Sequence, residues 1–179
     1  MDNNYVFQYW EAIENGAVTV GKWIRTIYKI LVDGLKSGKW DFDGDKANKA
    51  INFIENFCHH SEGRNDLLKL ELWQKAIVSA IFGIMDKKTG YRQFREVFIV
   101  VARKNGKTLF AAAIAAYMTY IDGEYGAKVY FLAPKLDQAD LVYDAFYQIV
   151  QADDELESIT KKRRSDIYIK EFNTSVKKI

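Results

Sequence analysis

Apolar and polar positions in the first half of the chain repeat at helical spacing. Residues 5–15 form a short aromatic segment, and residues 19–37 carry an apolar stripe that ends before Gly38, a predicted helix stop. Asp43 or Asp45 is suited to N-cap a third helix, and a fourth is predicted at roughly residues 70–84. These elements predict an N-terminal helical region. The stripe of the second helix comprises Val20, Trp23, Ile24, Ile27, Ile30, Leu31 and Leu35.

The pattern changes at Phe94. Residues 97–102 are continuously apolar, which is typical of a strand buried on both faces, and residues 107–121 are rich in Ala, as in a closely packed helix. Residues 127–134 repeat the buried-strand pattern, and residues 136–151 are amphipathic. This order predicts an α/β fold in which a βαβ unit with a right-handed crossover builds a parallel sheet.

The end of the chain and the composition further restrict the fold and the function classes. Residues 165–179 alternate apolar and polar positions, which predicts a short terminal hairpin. The 26 Lys and Arg against 24 Asp and Glu leave a net charge of +2, so no nucleic-acid surface shows in the overall charge. The single Cys58 excludes a disulfide scaffold and indicates a reducing compartment, and no apolar run is long enough to span a bilayer.

One segment carries candidate chemistry, and it lies between the first predicted strand and the Ala-rich helix. It reads Arg103-Lys104-Asn105-Gly106-Lys107-Thr108. A phosphate chain needs backbone N–H groups at a helix N-terminus and an ammonium group, and a hydroxyl can hold Mg²⁺. Gly106 allows close approach, Lys107 can bridge the β- and γ-phosphates, and Thr108 can bind the metal. The usual P-loop begins with a Gly where this chain has Val101, so an ordinary helix start is the alternative.

Two further residues are candidates with open alternatives. Arg103 can stabilise charge on a γ-phosphate, as an arginine finger does, or it is a solvated surface side chain. Gln74 follows Trp73 upstream of the loop, and its amide can read the N6 and N7 edge of adenine. The alternative is that Gln74 is a polar helix position and Trp73 packs in the core.

Three other motifs are rejected as sites. Adjacent Cys58, His59 and His60 lack the spacing of metal ligands. Residues 41–45 resemble a Ca²⁺ loop but lack its later Gly and Glu, so helix capping explains them better. Asp154 and Glu155 follow an amphipathic helix and not the apolar strand that delivers an acidic pair to Mg²⁺.

Together these segments resemble the large terminase subunit of tailed bacteriophages, the ATPase and nuclease that packages DNA into proheads. The resemblance is carried by FIENFCHHSEG with LLKLELWQKAIVSAIFG, by YRQFREVFIVVARKNGKT, and by GAKVYFLAPKLDQADLVYDAF. The family's phosphate loop is a deviant Walker A that begins with Arg, which accounts for Val101 and Arg103. Its adenine motif has a Gln at the position of Gln74.

The resemblance implies a P-loop NTPase core at residues 67–179 behind a helical region at residues 1–66, with ATP and Mg²⁺ as cofactors. It implies catalytic roles for Arg103 and Lys107 and metal binding by Thr108. It also implies double-stranded DNA, portal protein and small terminase subunit as partners, and a cytoplasmic location in a bacterial host. Separately, sheet strands missing from a truncated domain would leave exposed edges, which predicts a tendency to self-associate. The implied nucleotide-binding residues are Trp73, Gln74, Ala102, Arg103, Lys104, Asn105, Gly106, Lys107, Thr108 and Leu109.

The resemblance covers only the N-terminal part of such a protein. The family's Walker B strand, catalytic Glu, coupling motif and nuclease domain are not found before Ile179. We therefore expect a truncated ATPase region that binds nucleotide but is inactive alone, because Mg²⁺ and the attacking water need further acidic or amide groups. The alternatives are a superfamily 2-like helicase or other P-loop ATPase fragment, and a non-enzymatic adaptor that docks a packaging partner.

Overall fold

The computed structural model describes residues 4–60, 63–64 and 66–179. The chain divides into two compact units that do not follow chain order. The first comprises the chain up to Asn52 together with Leu70–Ile99, and the second comprises Phe53–Lys69 and Val100–Ile179. The predicted division into a helical region at residues 1–66 and an ATPase region at residues 67–179 is a division by function, and it stays a prediction. No helix of the described residues is long and apolar enough to cross a membrane.

The first unit is helical, as predicted. Its helices are α1 (Tyr5–Glu14), α2 (Lys22–Lys36), most of α3 (Gly44–Phe57) and α4 (Leu72–Gly83), with the short antiparallel strands β1 (Asp41–Phe42) and β2 (Ile84–Met85). Helix α1 packs against α2 and α4. The shared core comprises Val6, Tyr9, Ile13, Tyr28, Leu31, Val32, Trp40, Ala76 and Ile84.

The predicted helix ends in this unit are confirmed by local geometry. Gly38 follows α2 at φ +68°, a left-handed conformation that glycine adopts without strain. Asp43 caps α3, because its carboxylate accepts a hydrogen bond from the backbone N–H of Lys46 at 2.9 Å. Capping therefore accounts for the acidic segment at residues 41–45.

Helix α2 has one covered and one uncovered apolar face. Tyr28, Leu31 and Val32 are buried, whereas Trp23 is 76% exposed. The predicted stripe therefore coincides with the buried face only in part, since it contains Leu31 but neither Tyr28 nor Val32, and most of its members are exposed. The other exposed members are Ile24, Ile27 and Ile30.

The second unit packs helices on a four-stranded sheet. The helices are α5 (Lys107–Tyr120), α6 (Leu136–Gln151) and the short α7 (Asp154–Ile159). The sheet has the order β3-β6-β5-β4, with strands β3 (Lys128–Phe131), β4 (Thr160–Lys162), β5 (Ile167–Ile169) and β6 (Thr174–Lys178). Helices α5 and α6 pack on each other and on β3 and β6. Aromatic rings in contact with one another fill the core of this unit; they include Phe53, Tyr117, Tyr120, Phe131 and Phe146.

The sheet differs from the predicted parallel βαβ unit. Residues 97–102 form no strand, and their side chains include Phe98 at 93% exposure. The parallel pair is β3 with β6, while β5 pairs antiparallel with both β4 and β6, so the sheet is mixed. A strand that is apolar on both faces needs neighbours and covering layers, and residues 97–102 pair with no strand in the described part of the chain. Strand β3 is also half exposed and not buried on both faces.

The other predictions for this half are confirmed. Helix α6 spans the predicted residues 136–151, and β5 and β6 form the terminal hairpin. The α/β class and the helical N-terminal region therefore hold, although the first predicted strand and the parallel order do not.

Candidate functional site

The candidate phosphate loop is a tight turn that leads directly into α5. Lys104 and Gly106 both have left-handed backbone conformations, at φ +66° and +65°. The side-chain Nδ2 of Asn105 donates to the carbonyl oxygens of Ala102 and Arg103, at 3.3 Å each, which closes the turn. Gly106 adopts this conformation freely, whereas Lys104 is strained in it. The turn holds the backbone ahead of the helix in one defined path.

Helix α5 begins without a side-chain cap. Its first intrahelical bond runs from the N–H of Phe110 to the carbonyl oxygen of Gly106, at 2.9 Å, and the N-cap residue Gly106 has no side chain to accept the remaining N–H groups. The first turn also contains no acidic residue. The N–H groups of Lys107, Thr108 and Leu109 are therefore left to a bound anion or to water, and the helix dipole favours an anion.

Three cations surround this helix end. Arg103, Lys104 and Lys107 are exposed, and within the described part of the chain none of them forms an ion pair. Positive charge at a helix N-terminus is unfavourable by itself, because it meets the positive end of the dipole. The arrangement becomes favourable when a multiply charged anion binds between them.

A cavity of about 630 Å³ adjoins the loop within the second unit. This volume lies in the usual range of ligand pockets. Its loop wall comprises Lys104, Gly106, Lys107, Thr108 and Leu109, and its other lining comprises His60, Leu141, Asp144, Ala145 and Gln148. As the described residues form it, the lining does not include Ala102, Arg103 or Asn105. The cavity thus joins the predicted loop to one face of α6.

Trp73 and Gln74 lie in the first unit, on the first turn of α4. Gln74 is only 8% exposed, and its Oε1 accepts the N–H of Glu71 at 2.9 Å. The Glu71 carboxylate accepts the backbone N–H of Gln74 in return, so the pair forms a capping box. Trp73 packs at the edge of the core of the first unit. These contacts give both residues a structural role, and adenine recognition stays a prediction.

Sequence reasoning missed the far wall of the cavity. Leu141, Asp144, Ala145 and Gln148 share one face of α6 at the spacing i, i+3, i+4 and i+7. The only signal was this spacing, which also fits a solvated face. The sequence around His60 suggests only a metal ligand, and the place of His60 beside the loop depends on contacts distant in sequence.

The remaining rejected motifs have structural explanations. Asp154 and Glu155 lie in α7, whose N-cap Asp153 accepts from the N–H groups of Glu155 and Leu156. They are thus helical, as predicted. Cys58 is buried, and burial raises the pKa of its thiol to about 12. Among the described residues, no group of three or more His, Cys, Asp or Glu side chains is arranged to hold a metal ion.

Comparison with known proteins identifies a matching family and a similar fold. The sequence model of the family described as terminase large subunit, ATPase domain, matches residues 72–178, more than half of the chain. The crystal structure of the HK97 bacteriophage large terminase is similar in fold, with a TM-score of 0.63 and 24% sequence identity. The match covers 74% of this chain and 26% of that chain, so this chain spans about a quarter of its length. No curated protein matches the sequence.

Proposed function

Because this chain belongs to the family of terminase large subunit ATPase domains, we propose that its residues 102–109 bind ATP together with Mg²⁺. The observation that carries the proposal is the uncapped start of α5, which is surrounded by three unpaired cations and opens on a cavity of ligand size. Backbone N–H groups and ammonium groups are the donors that phosphate oxygens require.

Each residue of the loop has a distinct role in this proposal. Gly106 lets the phosphates approach the backbone, Lys107 bridges the β- and γ-phosphates, and Arg103 stabilises negative charge on the γ-phosphate. The hydroxyl of Thr108 fits Mg²⁺, since it lines the cavity and makes no hydrogen bond within the described residues. Bound Mg²⁺ would neutralise charge on the phosphate oxygens during transfer.

Adenine recognition by Trp73 and Gln74 is part of the same proposal. The Nε2 of Gln74 donates no hydrogen bond within the described residues, and its Oε1 has a second lone pair besides the one facing Glu71. The amide therefore keeps both a donor and an acceptor for a base edge.

We further propose that, in a complete protein, hydrolysis at this loop drives double-stranded DNA into proheads with portal protein and small terminase subunit as partners. The family match favours this function over a helicase. Turnover is expected to need acidic groups beyond the loop, because no strand in the described residues carries a pair of acidic side chains.

The test is calorimetry of Mg²⁺–ATP binding to the wild type and to Lys107→Ala. We expect the affinity to fall by roughly tenfold to a hundredfold, since charge-assisted hydrogen bonds contribute about 1.5–3 kcal/mol. Lys161→Ala, which removes an exposed lysine from β4, is the matched control and should bind like the wild type. Equal affinity of wild type and Lys107→Ala would refute the proposal.

A further inference from the structure

The wall of the cavity formed by α6 extends further than a phosphate chain on the loop requires. Its lining residues run from Leu141 to Gln148, which corresponds to about 10 Å along the helix axis. The loop wall, by contrast, is a single turn ahead of α5 with the first helical residues. The α6 wall therefore has room to contact another part of a nucleotide.

The chemistry of this wall does not suit phosphate. Leu141 and Ala145 are apolar, Gln148 both donates and accepts, and the ionised carboxylate of Asp144 only accepts. A carboxylate repels bare phosphate oxygens, but it accepts hydrogen bonds from hydroxyl or amino groups and it also binds Mg²⁺. The hydroxyls of a ribose are such donors, and carboxylates bind them in other nucleotide sites.

His60 adds a flat ring to the same cavity. Its Nε2 lies 2.6 Å from Nη2 of Arg64, and Arg64 Nε lies 3.2 Å from Oδ1 of Asp66. Because a guanidinium only donates, Nε2 is the acceptor and the ring is held in one orientation. The ring therefore adds a flat, partly buried surface to the lining of the cavity.

We propose that the ribose of the bound nucleotide lies along α6, with Asp144 accepting hydrogen bonds from its hydroxyls and His60 lining the same cavity. The proposal rests on ATP binding at residues 102–109. It makes Asp144 a specificity-determining residue that distinguishes a ribonucleotide from a ligand without sugar hydroxyls. Lys104 and Lys107, on the opposite wall, hold the phosphates.

Three ligands separate the sugar contact from the phosphate contacts. Calorimetry is carried out with the Mg²⁺ complexes of ATP, of 2′,3′-dideoxy-ATP and of inorganic tripolyphosphate, on the wild type and on Asp144→Asn. We expect the wild type to prefer ATP over dideoxy-ATP by about tenfold, because a hydrogen bond to a charged group is lost. Asp144→Asn should narrow that gap and leave tripolyphosphate affinity unchanged.

Asp137→Asn is the matched control, since Asp137 is an exposed carboxylate on the first turn of α6 outside the cavity lining. It should keep the wild-type preference, and thermal unfolding should show all variants folded. The inference fails if the wild type binds ATP and dideoxy-ATP equally, or if Asp144→Asn weakens tripolyphosphate as much as ATP, which would mean that Asp144 acts on Mg²⁺. If the wild type binds ATP and dideoxy-ATP equally but also binds tripolyphosphate, the proposed function stands and only this inference fails. If none of the three ligands binds, the inference and the proposed function both fail.

Discussion

Lys104 has a backbone conformation that side chains other than glycine rarely adopt. At φ +66° it carries a strain of about 1–2 kcal/mol, yet it lines the cavity together with Lys107. The residue therefore connects two properties that usually vary independently, the stability of the fold and the charge of the site. Strain of this kind is common where a loop must present a particular side chain to a ligand.

Replacing Lys104 separates these two properties. Lys104→Gly should raise the free energy of unfolding by about 0.5–1 kcal/mol, because strain is relieved, and should weaken ATP binding several-fold, because a cation is lost. Lys104→Ala removes the same charge but keeps the strain, so it should bind like the Gly variant without the gain in stability. Urea unfolding and calorimetry measure the two effects. A Gly variant no more stable than the Ala variant would contradict the strain, and wild-type affinity in either would exclude Lys104 from binding.

At the scale of the element, α4 starts with a reciprocal cap in which Gln74 is the third helical residue. Gln74→Glu keeps a carbonyl-type oxygen that can accept the N–H of Glu71, but it removes the amide donor that adenine recognition needs. Gln74→Ala removes both the cap and the donor.

We expect both variants at Gln74 to narrow the difference between ATP and GTP affinity, because an amide that pairs with a base edge penalises the wrong base. Only Gln74→Ala should also lose about 1 kcal/mol of stability. Competition binding with the two nucleotides and thermal unfolding separate the effects. If Gln74→Glu keeps the wild-type preference for ATP, Gln74 has only its capping role.

Elements whose signals are local could be predicted from the sequence. The bounds of α6 follow from its amphipathic spacing, the end of α2 from Gly38, and the terminal hairpin from alternation. The conformation of residues 97–102 could not be predicted in this way, because an apolar run becomes a strand only when it pairs with another strand. The local sequence pattern does not show whether such a partner is present. For the same reason the uncovered face of α2 was not foreseen.

The site shows the same division. The candidate loop at residues 102–109 can be predicted because its residues are contiguous and precede a helix. The rest of the cavity lining cannot, because His60 and Asp144 lie far from the loop in sequence. A single sequence shows which residues are neighbours along the chain. Half of the cavity lining consists of residues that are close to the loop only in the folded structure.

At the scale of the whole molecule, the exposed segment at residues 97–102 predicts where a protease acts first. Phe98 is 93% exposed and lies in no helix or strand, so limited chymotrypsin digestion should cut after it before any helix is attacked. Phe98→Ser should resist that cut, which mass spectrometry of the fragments can establish. Early cleavage elsewhere, with Phe98 intact, would contradict the exposure of this segment.

The two fragments should nevertheless stay together. The second unit takes in Phe53–Lys69 from the first half of the chain, and the ring of Phe53 contacts those of Tyr117 and Tyr120. Gel filtration of the nicked protein should show one species in buffer and two in urea, whereas separation in buffer would mean that these contacts do not hold the fragments. His60 would then belong to one polypeptide and Lys107 to the other, so the cavity would be rebuilt from two chains, and each half could be mutated or labelled independently.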